Sequence, residues 1–328
     1  MPDVLTIGNA LVDVLAHADD ALLAKLDLVK GSMNLVDAER SAEVYDTMGP
    51  GIEASGGCAA NTATGVVSLG GTAGFLGKVR DDQLGHVYQH DLRAVGVQFD
   101  VPMAPADGPD PTGSCLILVT DEGERTMNTH LGIAAKVSVD DVDPAVVAAS
   151  PLVYVEGYLW DIESTKDAIR KAIDSLADGA RFAFTMSDSF CVERHREEFR
   201  MLAEEKIDVL FANDAEILAL YEVADFEAAL PHLRARRGIS FVTRGAEGSA
   251  VIDGDLVLEV PADEVAKVVD TTGAGDLYAA GALYGLAKGA DLASCCRLGS
   301  LAAAEVISHL GPRPQTSLRA LADAAGLP

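Results

Sequence analysis

The sequence predicts an α/β fold: a doubly wound, mostly parallel sheet with helices on both faces, plus a small separate β-sheet built from discontinuous pieces. Three observations carry this. From Pro151 onward, short β-branched or aromatic runs alternate with helical stretches, giving strands at 153–155, 181–186, 209–212, 240–243 and 250–252. Val265-Ala266-Lys267-Val268-Val269 reads as another strand, which passes through a glycine turn into an Ala- and Leu-rich helix beginning near Leu277. Four strand-like runs, at 10–17, 31–36, 113–120 and 124–129, fall outside the alternation and call for a sheet of their own; Asp121-Glu122-Gly123 joins the last two as a hairpin turn. The expected division is a core of 1–9, 37–98 and 134–328 and a small β unit of 10–36 and 99–133.

The remaining elements follow in order. Residues 3–7 form a buried first strand ending at Gly8. Helices are expected at 19–26 and 39–48, the second stopped by Gly49-Pro50-Gly51. An Ala/Val-rich helix follows Gly56-Gly57, a strand covers 72–77, and Asp82 starts a helix to Ala94. Residues 97–111 are rich in Pro and Asp and irregular. Helices at 161–178 and 191–206 carry many of the charges. Asp291 caps a helix running to His309, which Gly311-Pro312 ends.

At 328 residues the chain buries enough surface to need no disulfide or metal staple. The formal net charge of -26 argues against nucleic acid or an anionic membrane as the main partner. It leaves room for a small anion held by a local site. Five cysteines (58, 115, 191, 295, 296) are scattered without a CxxC pair, as expected in a reducing cytoplasm. No targeting pattern and no membrane-length apolar run is visible. The expectation is a cytoplasmic monomer or homodimer acting on a small molecule.

The chemistry concentrates in Asp270-Thr271-Thr272-Gly273-Ala274-Gly275-Asp276. A strand, a tight turn and a helix start place unpaired first-turn amides and the positive end of a helix dipole at one point. Gly273 and Gly275 allow the backbone to approach a ligand closely. Asp276 serves either as a cap or as a general base beside an anion hole. Asp13, an acid between Val12 and Val14, lies either on the solvent face of a strand or at a ligand hydroxyl. Gly57 and Asn61 open a helix and are candidates for holding a ligand. In an open α/β sheet, ligands sit at the carboxyl ends of the strands. Asn213-Asp214-Ala215-Glu216 and Thr243-Arg244-Gly245-Ala246-Glu247-Gly248 both fall there. Other patterns fail. Gly77-Lys78 lacks the first Gly and the Ser/Thr of a P-loop, no GxGxxG opens the first helix, and Cys191 with His195 has no second metal-ligand pair. Ser187 and Ser189 lack a Gly-x-Ser-x-Gly elbow.

Asp270 to Asp276, followed by Ala280-Gly281, resembles the C-terminal signature of the PfkB (ribokinase-like) carbohydrate and nucleoside kinases. Gly56-Gly57-Cys58-Ala59-Ala60-Asn61 resembles the family's N-terminal signature, Asn213 to Glu216 its Asn-x-x-Glu motif, and Thr243 to Gly248 its nucleotide loop. The resemblance implies transfer of a phosphoryl group from ATP to a substrate hydroxymethyl. Asp276 would be the base, and the Gly273, Ala274 and Gly275 amides the anion hole. Asp13, Gly57 and Asn61 would hold substrate hydroxyls, and the discontinuous β-pieces of 10–36 and 99–133 would be the family's lid, closing over the substrate to exclude water. Asn213, Thr243, Gly245 and Gly248 would line the ATP site, and Asn213 and Glu216 would orient Mg²⁺ through water. Some members also need K⁺ near this stretch. Two departures stand out: Arg80 replaces a usual Gly, and Arg244 a common Lys. Gly8 to Asp13 and Arg125 to Ala135 are more similar to adenosine kinases than to ribokinases, and the resemblance implies that Arg125 reaches the phosphates. No aromatic pair able to sandwich a purine is identifiable. A sugar kinase is therefore the alternative acceptor class, and a non-catalytic binding protein on the same fold the alternative function.

Overall fold

The computed structural model describes residues 1–122 and 124–328; Gly123, the end of the expected hairpin turn, lies outside the described residues. Its strands are β1 (Val4–Ile7), β2 (Leu11–His17), β3 (Met33–Leu35), β4 (Gly51–Gly56), β5 (Ala73–Leu76), β6 (Gly113–Val119), β7 (Arg125–His130), β8 (Leu152–Glu156), β9 (Arg181–Thr185), β10 (Val209–Asn213), β11 (Ile239–Thr243), β12 (Ser249–Asp253) and β13 (Leu256–Val260).

The large sheet runs β13-β12-β11-β10-β9-β8-β1-β5. From β5 to β11 neighbouring strands are parallel. All residues of β1, β5 and β8 are buried, which is why these runs read as continuous apolar segments rather than alternating ones. Helices cover both faces. Those at Cys58–Ser68, Ala274–Ala287 and Leu292–Val306 pack one apolar layer, and those at Glu163–Asp174 and Ser189–Glu205 the other. The chain reverses its direction across the sheet between β1 and β8, so a cleft opens beyond their carboxyl ends.

Two sequence expectations need correction here. Residues 250–252 do form a strand, but β12 pairs antiparallel with β11, and β13 extends that ladder. The connection 244–248 is a tight turn, far too short for the crossover a parallel pair requires. The run 265–269 does not form a strand. Val268 and Val269 are exposed, and the link to the core is the Val269 amide donating to the Ile307 carbonyl at 2.8 Å. Its β-branched composition imitates a strand where no edge pairs with it.

The second sheet runs β3-β7-β6-β2-β4. Segment 51–56, assigned to the core by the sequence reading, is β4 of this sheet, and the helix Ala38–Thr47 packs against β6 and β7. β4 escaped notice because Gly51, Ala54, Ser55 and Gly56 carry little strand propensity; pairing with β2 supplies what the local sequence does not. Strand pleat then sorts the side chains. Val12, Val14, Leu116 and Leu118 enter the hydrophobic core. On the alternate positions Asp13 stands opposite Cys115, Cys115 opposite Thr129, and Met127 opposite Met33. That set faces the cleft, which decides the open question about Asp13: it is not on a solvent face.

Helix–helix contacts bring the cleft residues together. A Cβ on Gly65 would stand 2.5 Å from Ala280 Cβ, so helices Cys58–Ser68 and Ala274–Ala287 touch almost backbone to backbone. A Cβ on Gly281 would collide with the Leu298 backbone. Gly281→Val is therefore expected to cost on the order of 3 kcal/mol, because the obstacle is main chain that cannot rotate away. Urea unfolding at matched protein concentration checks this, and an unchanged midpoint would contradict the packing.

Candidate active site

A cleft of about 480 Å³ lies between the two sheets. Asp13, Gly57, Asn61, Asn213, Glu216, Thr243, Gly273, Ala274, Gly275 and Asp276 all line it. The structure thus gathers residues from five separate stretches of sequence around one space.

Asp276 occupies the third position of helix Ala274–Ala287 and is half-buried. The helix starts from Gly273 in the left-handed conformation (φ 80°), which turns the chain so that the first-turn amides meet the cleft. The Gly275 amide has no backbone acceptor among the described residues, whereas the Ala274 amide already donates to the Thr271 carbonyl at 3.2 Å. The anion hole is therefore less open than four unpaired amides would be. Burial pushes the Asp276 carboxyl up to about 6, opposed by the hydrogen bonds of Asn61 and Cys58. The Asn61 Nδ2 donates to Asp276 Oδ2 at 3.0 Å.

Asp13 is buried, and burial raises its carboxyl to about 7 against the opposing charges of Arg313 and Arg125. Gly57 has φ 93°, and a side chain there would meet the Asn9 carbonyl oxygen. Glu156, at the end of β8, ties the two substrate-side loops together. Its Oε1 accepts from the Asn9 amide at 2.8 Å and from Asn9 Nδ2 at 2.7 Å, and its Oε2 accepts from the Ala59 amide at 3.1 Å.

At the far end of the cleft Asn213 and Glu216 form a reciprocal cap on helix Asp214–Tyr221. The Glu216 amide donates to Asn213 Oδ1 at 2.8 Å, and the Asn213 amide donates to Glu216 Oε2 at 3.0 Å. Asn213 Nδ2 also donates to Glu216 Oε1 at 2.7 Å. Burial, with Asp188 and Asp214 nearby, raises the Glu216 carboxyl to about 7.

Three expected site residues stand apart from the cleft wall. Arg125 turns its guanidinium onto Asp270 and donates through Nη1 to Thr272 Oγ1 at 3.1 Å; both members of the ion pair are buried. Asp270 also accepts from the Thr272 amide at 3.1 Å and the Gly311 amide at 2.9 Å. Gly245 and Gly248 shape the turn behind Thr243, where a side chain at Gly248 would strike the Val260 carbonyl. Arg244 lies 4.6 Å over the Phe226 ring and pairs with Glu247 at 2.6 Å, away from the cleft.

Sequence reasoning missed Asn9, Glu156 and Arg313. An acid ending the apolar run Leu152–Glu156 is a usable signal, since strand ends at a switch point meet ligands. Arg313 gives none, because packing across 252 residues of chain brings it to Asn61.

Known proteins resemble this chain over nearly its whole length. A solved adenosine kinase from Sinorhizobium meliloti is 49% identical, with a TM-score of 0.92 over 99% of both chains. A probable sugar kinase from Rhizobium etli CFN 42 is 46% identical, with a TM-score of 0.91 over 100% of this chain and 99% of that one. Adenosine kinase of Saccharomyces cerevisiae is 27% identical over 94% of this chain and 96% of that protein. The model described as pfkB family carbohydrate kinase matches residues 20–318. With its fold and nearly its whole length matched in this way, the chain belongs to the pfkB family of carbohydrate kinases and is an ATP-dependent kinase.

Proposed function

We propose that this kinase transfers the γ-phosphoryl group of ATP to the hydroxymethyl (5′-type) hydroxyl of a nucleoside, adenosine foremost. The observation that carries the reading is Asp276 on the first turn of its helix, next to the Gly275 amide, in the same cleft as Asp13 and Asn61. Asp276 takes the acceptor proton as the new O–P bond forms and the bond from the γ-phosphorus to ADP breaks. The Gly275 amide, which has no backbone acceptor among the described residues, meets charge developing on the transferring group. Asp13 and Asn61 hold acceptor hydroxyls, and the lid strands exclude water from the reaction.

Thr243 and the Asn213–Glu216 pair support ATP at the other end. Mg²⁺, when bound, neutralises charge on the donor phosphates. Glu216 spends both oxygens on its cap, so the pair fits an ion met through water rather than a direct ligand. Its buried carboxyl, crowded by Asp188 and Asp214, is the kind of group a nearby cation returns to the charged form. K⁺ has no such support, since Asp270 is occupied by Arg125, Thr272 and Gly311.

A base-bearing acceptor is favoured by the lid wall, where Leu11, Met33, Leu35, Ile117, Met127 and Leu131 present an apolar surface. A free sugar makes little use of such a wall. Thioether and aliphatic groups take the place of the aromatic sandwich sought in the sequence. The 49% identity to the S. meliloti adenosine kinase supports the same choice.

ATP consumption measured across nucleosides and sugars should be fastest with adenosine. A hexose or pentose leading the panel would transfer the reading to a sugar kinase, and binding without turnover for every acceptor would make the protein non-catalytic. Asp276→Asn should keep its thermal midpoint and lose on the order of 10²–10⁴-fold in kcat; near-native turnover would remove Asp276 as the base.

The pH profile is a separate check. Burial raises the folded-state values of Asp276 and Asp13 to about 6 and about 7, so the charged forms needed for proton acceptance and hydroxyl binding are lost as pH falls through that window. The acid limb of kcat/KM should therefore lie near pH 6–7 and not at the ordinary carboxylate value near pH 4. Full activity persisting to pH 5 would contradict it.

A further inference from the structure

Arg313 has no part in the chemistry above. It follows Pro312 in the turn after helix Leu292–Val306. That turn packs directly on the anion hole, for a Cβ on Gly273 would stand 2.8 Å from the Pro312 carbonyl oxygen. Arg313 Nε donates to Asn61 Oδ1 at 3.3 Å, and Asn61 Nδ2 donates to Asp276 Oδ2 at 3.0 Å. The neighbours dictate the amide orientation. A guanidinium only donates and an ionised carboxylate only accepts, so Asn61 must turn its oxygen to Arg313 and its nitrogen to Asp276. Arg313 Nη2 is buried with no hydrogen-bond partner among the described residues, and Asp13 on β2 and Asp91 on helix Gln83–Ala94 are the carboxylates that act on the guanidinium.

We propose that Arg313 is a positioning residue for phosphoryl transfer: by holding the Asn61 amide it occupies Asp276 Oδ2 and leaves Oδ1 for the acceptor hydroxyl. Without the guanidinium, half a turn of the amide would point the Asn61 oxygen at the carboxylate. That contact repels the charged form and frees both Asp276 oxygens to rotate. The buried cation also balances Asp13, so one residue serves both acids on the acceptor side.

The proposal rests on Asp276 acting as the base, and its test separates the two ideas. Kinetics are compared for the full chain, Arg313→Gln, Arg313→Lys, Asn61→Ala and the Arg313→Gln/Asn61→Ala double variant. Arg313→Gln should lower kcat on the order of 10- to 100-fold with little change in the KM for ATP, since a misplaced base costs rate rather than donor binding. The acid limb of kcat should move to higher pH. Asp13 on β2, Cys58 on helix Cys58–Ser68, and Tyr154 and Glu156 on β8 also face Asp276. They are unaltered in every variant, so the shift reports on Arg313 and Asn61. Arg313→Lys should recover part of the rate, because it keeps the charge without the fork.

In the Asn61→Ala background the Arg313→Gln effect should shrink to the smaller part that acts through Asp13, as expected of residues acting in series. Equal losses in both backgrounds would overturn the proposal, as would an Arg313→Gln enzyme within about twofold of native in kcat with an unmoved acid limb. If Arg313→Gln does not fold, as judged by its thermal melt, Arg313→Lys carries the same cycle. An active Asp276→Asn would remove the base itself, whereas an inactive Asp276→Asn with additive Arg313 and Asn61 effects removes only this proposal.

Discussion

The site depends on the close approach of two helices at Gly65. Asn61 stands one turn before Gly65, and Asp276 one turn before Ala280, the residue that Gly65 meets. Contacts at matching positions along both elements mean that the helices run parallel, with both N-termini at the cleft. One packing contact therefore does three things. It sets the Asn61–Asp276 hydrogen bond, brings two sets of first-turn amides to one place, and adds two helix dipoles of the same sign at the point where an anion reacts. A larger residue at 65 would push the helices apart and weaken all three together. The small residues of 58–68 serve this approach and are not simply good helix formers.

A second constraint ties the lid to the reacting turn. Arg125 leaves the lid sheet at the start of β7 and meets Asp270, which also takes the Thr272 and Gly311 amides. A buried charge left alone would cost roughly 3–5 kcal/mol, so the pair holds only while β7 is docked against the turn. The geometry of the anion hole and the position of the lid are thus linked through one carboxylate. This assigns Asp270 a structural part. It also puts Arg125 behind the hole in this state, with Thr272 between its guanidinium and the cleft.

The fold was legible where local sequence and tertiary demand agree. The continuous apolar strands β1, β8 and β10 and the capped helices at Gln83–Ala94 and Leu292–Val306 are such places, with Asp82 and Asp291 accepting from their helix amides as written. It was illegible where pairing overrides propensity. β4 is built largely from Gly, Ala and Ser, and 265–269 has strand composition without a partner. Most of the proposed site could be read because its residues come in short motifs at strand ends and helix starts. Glu156 and Arg313 act through contacts across 147 and 252 residues, and no local pattern encodes such a contact. The pleat decided Asp13: period two alone leaves a face undetermined until the partner strands are known.

The electrostatics follow from the same burial. A chain with net charge -26 must receive a donor that is itself an anion. At physiological ionic strength exposed charges are screened beyond about 8 Å, so the acidic surface acts weakly inside the cleft, while amides and guanidinium groups at contact distance act strongly. The cleft carboxyls of Asp13, Glu156, Glu216 and Asp276 are all lifted to about 6 or 7, with burial the largest cause in each case. In the empty protein Asp13, Glu156 and Glu216 are therefore only partly ionised near neutrality, which reduces the negative charge a polyanion meets on entry. Donors on the acceptor, and a cation beside Glu216, favour the ionised forms once they are in place. Burial thus lowers the negative charge that the donor meets on entry, and contacts made inside the cleft restore it.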